Sequence, residues 1–140
     1  MLLMFADASP FNPTYLFLAI LIGLLLGLLL TKRGKVDKTK IQGLDVKEFM
    51  DTKRKGTLID CRKEKDFNES KIVGAKNYPG RSGAKSGQIR RDIPIFIYDE
   101  NGKRANGIAK SYVRSGAVMV YFIKGGYEQY IQEKEGKNVK

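Results

Sequence analysis

Residues Ile93–Arg104 read IPIFIYDENGKR. Within them, Ile95, Phe96, Ile97 and Tyr98 form a short, almost wholly apolar run. A strand shows that pattern when both of its faces are covered, as in a parallel sheet. The run breaks off at Asp99 into a polar turn, after which Ala105, Ile108, Ala109, Tyr112 and Val113 recur at helical spacing as far as Gly116. A second apolar run, Val118 to Ile123, ends at Lys124-Gly125-Gly126. Strand, loop, helix and strand make one βαβ unit. In open sheets of this kind a ligand sits beyond the carboxyl end of a strand, where the N–H groups that open the next helix favour negative charge. Residues 99–104 hold that place. Asn101-Gly102 would also suit a tight hairpin, but the helical periodicity after Arg104 argues against one. A calcium loop fails because the glycine comes too early and no closing Glu follows.

The six residues Asp99, Glu100, Asn101, Gly102, Lys103 and Arg104 resemble the active-site loop C-x-x-G-x-R of rhodanese-like sulfurtransferases in length, Gly and Arg, with Asp99 where the pattern has cysteine. Upstream, Asp60-Cys61-Arg62, Asp66-Phe67, Ile72, Gly74-Ala75, Asn77 and Pro79 fit the family's D-x-R-x-x-x-E-[FY]-x-x-G-H-I-x-G-A-x-N-x-P. Asp66 stands for the usual Glu, and Ser70-Lys71 for Gly-His. Downstream, Val118 to Tyr127 resembles the final strand and its Gly-Gly-aromatic turn. The resemblance covers residues 41–134. It implies an α/β domain with a mostly parallel central sheet flanked by helices.

In that family the cysteine takes sulfur from a donor, holds it as a persulfide and passes it on, while loop N–H groups and the arginine stabilise the anionic sulfur. A carboxylate has no sulfur with which to do this. The resemblance therefore implies a membrane-anchored bacterial member in which the Asp99 carboxylate lies in the anion-binding loop itself. Such a chain would be a non-catalytic binding or regulatory module with an unknown protein partner. The alternative is a sulfurtransferase that carries persulfide on Cys61 or works with a partner thiol. Cys61 is the sole thiol and ends an apolar stretch, which reads as a small buried hydrophobe. Arg62 is expected to pair with Asp60 or Asp66. A phosphatase relative of the same fold would also need the loop cysteine, and a longer loop.

Residues Thr14 to Thr31, TYLFLAILIGLLLGLLLT, contain no charge and read as a transmembrane helix. No basic residue precedes them and no small-x-small site follows, so a cleaved signal peptide fits less well. The expected order is a short extracytoplasmic N-terminus (1–13), the membrane helix (14–31), a basic tether (32–40), the domain (41–134) and a frayed tail (135–140). Lys32, Arg33, Lys35, Lys38 and Lys40 crowd one flank, which places the domain in the cytoplasm of a single-pass protein in the cell membrane. Gly23 and Gly27 make a small-x-x-x-small stripe suited to pairing two helices as a homodimer. Asp45, with Glu48 three residues on, is expected to cap a short helix through Phe49 and Met50.

All 26 Lys and Arg residues lie after residue 31, as do all acidic residues but Asp7, leaving +12 on that part. Such a surface attracts anionic lipid headgroups. No recognised nucleic-acid motif or aromatic platform accompanies the charge, so nucleic acid is not expected as a partner. With no histidine and one cysteine, neither a metal nor a cofactor is expected. Residues 80–91, GRSGAKSGQIRR, read as a mobile basic loop, the spacing being wrong for a phosphate-binding P-loop.

Overall fold

The computed structural model describes residues 12–31 and 34–139. Most of the expected N-terminal segment, part of the tether and Lys140 lie outside the described residues. The chain forms two compact units, divided between Lys35 and Val36.

The first unit contains helix α1, Pro13–Thr31. It begins one residue before the expected start because Pro13 suits the first helical position, where its missing N–H costs nothing. Asn12 supplies the cap: its side-chain oxygen accepts the Thr14 N–H at 3.1 Å and the Thr14 hydroxyl. Leucine and isoleucine side chains are exposed all round the helix, the pattern of a helix that needs an apolar surround. Pro13–Leu30 is long and apolar enough to cross a membrane.

The second unit is an α/β domain. Its elements are β1 (Ile41–Leu44), α2 (Val46–Thr52), β2 (Thr57–Asp60), α3 (Glu64–Glu69), β3 (Lys76–Asn77), β4 (Ile95–Tyr98), α4 (Ala105–Arg114), β5 (Val120–Ile123) and α5 (Gly126–Asn138). All strand pairings are parallel, in the order β1-β5-β4-β2-β3. The apolar run at 95–98 is the central strand, and all four of its residues are buried. Alternation divides them between two cores. Ile95 and Ile97 join Ile59, Cys61, Val120 and the inner side of α4 (Ile108, Ala109, Tyr112). Phe96 and Tyr98 join Leu58, Ile72 and Ile123, with Val46 and Phe49 of α2 and Tyr127 of α5.

Ile41–Leu44 is a strand paired with β5 that the sequence reading did not include; only Leu44 of the four is fully buried, so its pattern is faint. Three expectations need correction. Asp45 does precede α2, but its side chain makes no cap bond, and its carboxylate lies 3.9 Å from Lys124 Nζ. Residues 80–91 are not a plain solvated loop. They contain a 3₁₀ turn, Ser82–Lys85, and bury Ala84 and Ile89 in the α4-side core. A Cβ on Gly83 would overlap the Tyr112 hydroxyl, and the Arg91 guanidinium bonds the carbonyls of Ala84 and Ser86, each at 3.1 Å. Finally, α5 continues to Asn138, so residues 135–138 are helical rather than frayed.

Candidate functional site

β2 and β4 are neighbours, and the loops leaving their carboxyl ends enclose a cleft of about 570 Å³. Arg62, Lys63 and Asp66 line it from one loop, and Asp99, Glu100, Asn101, Lys103 and Arg104 from the other. The structure thus brings five of the six predicted loop residues to the cleft beside Arg62, while Gly102 faces the Gly125 backbone.

The 99–104 loop folds around the Asp99 side chain, which is 1% exposed. One carboxylate oxygen, Oδ1, accepts the Gly102 N–H at 2.8 Å, and Oδ2 accepts the Arg104 N–H at 3.0 Å. Asn101 bonds the Lys103 N–H at 3.1 Å. The N–H groups of three consecutive residues, Gly102 to Arg104, are therefore held by side chains that follow a strand end, a role suited to Asp and Asn. Arg104 immediately precedes α4, and its carbonyl accepts the Ile108 N–H at 3.0 Å.

The loop is held from behind by the opening of α5. Tyr127 and Glu128 donate their N–H groups to the carbonyls of Asp99 (2.8 Å) and Glu100 (2.9 Å). The first turn of α5, whose N–H groups have no intrahelical partner, is satisfied by the loop. The approach requires glycine: Gly126 has φ +66°, and a Cβ there would stand 2.7 Å from both the Asp99 carbonyl oxygen and the Gly102 nitrogen. Gly102, at φ +82°, faces the Gly125 backbone equally closely. The Gly-Gly-Tyr turn seen in the sequence is thus the back wall of the 99–104 loop.

The β2 loop is organised by a buried ion pair. Asp60 and Arg62 are almost completely buried. Arg62 Nη2 lies 2.8 Å from Asp60 Oδ2 and donates to the Ser70 carbonyl at 2.6 Å. Asp60 Oδ1 accepts the Arg62 N–H at 2.8 Å, and the Asn77 amide bonds the carbonyls of Asp60 and Arg62. Of the two expected partners of Arg62, Asp60 is the one it engages. Sequence reasoning missed the tyrosine: the guanidinium lies 3.8 Å from the centroid of the Tyr127 ring, within cation–π range. Glu100, at 3.6 Å from Arg62 Nη1, joins the two loops.

Cys61 is 1% exposed and lies in the α4-side core, beneath the cleft rather than in its lining. Burial pushes its thiol pKa far up, and the charges of Asp60 and Asp99 push it further. Gly23 and Gly27 belong to the other unit, and a Cβ at either would meet nothing within 4 Å.

Chemically, the cleft offers a mixed rim. Lys103 and Arg104 are exposed and Glu100 is half-exposed, whereas Asp60, Arg62 and Asp99 are consumed by internal bonds. The rhodanese-like domain family pattern matches residues 44–133. An uncharacterized protein of Bacillus subtilis (strain 168), YqhL, is 32% identical over 88 residues, covering 62% of this chain and 70% of its own length. Among solved structures, the rhodanese-like domain of an Anabaena protein superposes with a TM-score of 0.60 at 18% identity, over 65% of this chain and 74% of that one. A rhodanese-related protein from Thermoplasma volcanium gives 0.58 at 17% identity, over 66% and 92%. At such identities the likeness to these structures concerns the fold alone.

Proposed function

The chain belongs to the rhodanese-like domain family, and we propose that it is a non-catalytic member, in which Asp99 occupies the position of the nucleophilic cysteine. The observation that carries this reading is the Asp99 carboxylate itself, which takes the Gly102 and Arg104 N–H groups for its own two oxygens. An anion from outside would have to displace it. The loop then acts as a preformed, rigid surface for docking a protein partner, with Lys63, Glu100 and Asn101 at its rim. Helix α1 serves as a membrane anchor, and the basic flank after it orients the domain toward the cytoplasm. The rival reading, sulfur transfer through Cys61, has to bring a buried thiol with a raised pKa to a donor.

The test is the intact mass of the full chain, in mild detergent, after incubation with thiosulfate. In the family reaction a thiolate attacks the sulfane sulfur, sulfite leaves, and the protein gains one sulfur as persulfide. The native chain is expected to stay unmodified while Asp99→Cys gains the mass of one sulfur. Uptake by the native chain would place sulfur on Cys61, its sole thiol, and move the function to the enzyme reading. If neither chain gains sulfur, the placement of Asp99 at the nucleophile position fails.

A further inference from the structure

The acidic residues of the domain are segregated. No Asp or Glu occurs between Glu69 and Asp92, or between Glu100 and Glu128. Those two stretches supply α4, the 3₁₀ turn Ser82–Lys85 on which it packs and most of the core beneath them, besides Ile72, Ile123 and Tyr127 of the opposite core. α4 carries Lys110 and Arg114 and no acid. On the opposite face, α2 and α5 carry Glu48, Asp51, Glu128, Glu133 and Glu135 among their lysines.

Two open hollows flank α4, each of about 350 Å³. Arg81, Lys103 and Arg104 line one with Gly107, the Arg81 guanidinium lying across the first turn of the helix at Gly107. Lys38 and Lys110 line the other with Asn106. No carboxylate lines either hollow. Among the described residues, none of Lys38, Arg81, Lys103, Arg104, Lys110 and Arg114 makes an ion pair. Asp37, next to Lys38, turns its carboxylate to the Thr39 N–H and hydroxyl. Gly107, Lys110 and Arg114 of α4 recur at helical spacing, and Lys103 stands two residues before the helix in the loop that leads into it. By contrast, the hollow between α2 and α5 mixes Lys47, Lys134 and Lys137 with Asp51 and Glu133.

We infer that the α4 face is a docking surface for an anionic lipid leaflet. Complementary charge is one reason, since several cations presented together gain from an anionic surface. The path of the chain is the other. Lys38, which lines this face, follows the end of α1 at Thr31 by seven residues, a reach of at most roughly 25 Å of extended chain. The inference rests on the reading of α1 as an anchor. It assigns the domain an orientation: α4 toward the bilayer, α2 and α5 away from it.

The full chain, in lipid nanodiscs of phosphatidylcholine alone or mixed with phosphatidylglycerol, would be acetylated briefly and each lysine followed by mass spectrometry. In anionic discs, Lys38, Lys103 and Lys110 should label roughly tenfold more slowly, while Lys47, Lys134 and Lys137 keep their rates. High salt should restore labelling, because screening shortens the reach of the field. The double variant Lys110→Glu, Arg114→Glu should restore it at Lys103. Equal rates in the two discs, or slowing at Lys47, Lys134 and Lys137 instead, would overturn the inference. Protection induced by single-stranded RNA in neutral discs but not by anionic lipid would overturn it in favour of nucleic acid. A chain that leaves the disc fraction altogether overturns the anchor reading and this inference with it, and is told apart by the missing protein.

Discussion

Asp60 and Asp99 finish β2 and the residue just past β4, two adjacent strands, and both are buried, yet they are held in different ways. Asp60 faces a side-chain cation, Arg62, which is itself tied to Ser70 and Tyr127. Asp99 is held by N–H groups of its own loop. The first arrangement needs a second charged residue and consumes it. The second needs only a backbone turn, so Lys103 and Arg104 stay available to other molecules. One strand end is thereby structural, and the other presents a surface.

The largest test of that contrast is Arg62→Met in the compact unit Val36–Lys140, which contains the whole sheet and both cores. It strands Asp60 as a buried, unpaired charge and should cost about 3–5 kcal/mol in urea unfolding. A loss below about 1 kcal/mol would mean that Asp60 finds water and the two carboxylates are equivalent. Next comes Gly126→Ala, which forces an unfavourable φ and drives a Cβ into the Asp99 carbonyl. About 2–3 kcal/mol is expected, and a wild-type melting temperature would show that the loop does not lean on α5.

Cys61 follows Asp60 in the chain and senses both acids. Burial, then Asp60, then Asp99, raise its thiol pKa in the folded state, so the folded protein keeps a proton that the unfolded chain loses. The resulting stability is present in full below the ordinary thiol value of 9.0 and is lost as pH rises past it. Up to about 1.4 kcal/mol per pH unit is expected at first. Tyr98 and Tyr112, also raised chiefly by burial, add to the loss above their ordinary 10.0. Cys61→Val should remove the first portion of that slope, and an unchanged slope would place the thiol in contact with water. The smallest effect belongs to Glu100→Gln. Its 3.6 Å contact with Arg62 is half-exposed, and the change should stay within about 0.5 kcal/mol. A larger loss would show that Arg62 serves both loops rather than Asp60 chiefly.

The central βαβ unit was readable because burial on both faces leaves a continuous apolar run, and α4 has a single inner stripe. Asp-x-Arg was readable because a buried charge needs its partner nearby, although the Tyr127 ring under Arg62 comes from the other end of the domain. β1 was not readable: it is a short edge strand with one fully buried side chain. The anchoring of residues 80–91 escaped notice because two apolar residues, Ala84 and Ile89, hold a segment otherwise composed of Gly, Ser and basic residues. The double glycine was visible as a motif, whereas its cause, the 99–102 backbone pressed against it, exists only in three dimensions.

The strand order places β1 beside β5, so the first strand of the domain pairs with the last one made. Closing that long loop has to precede any gain from the pairing, which slows folding more than it weakens the folded state. During synthesis, β2, β3 and β4 can associate while Ile41–Leu44 waits for Val120–Ile123 to emerge. The edge nearest α1 in sequence is therefore the last part of the sheet to be completed, and any chain stalled before Val120 leaves that strand unpaired and open to a neighbour.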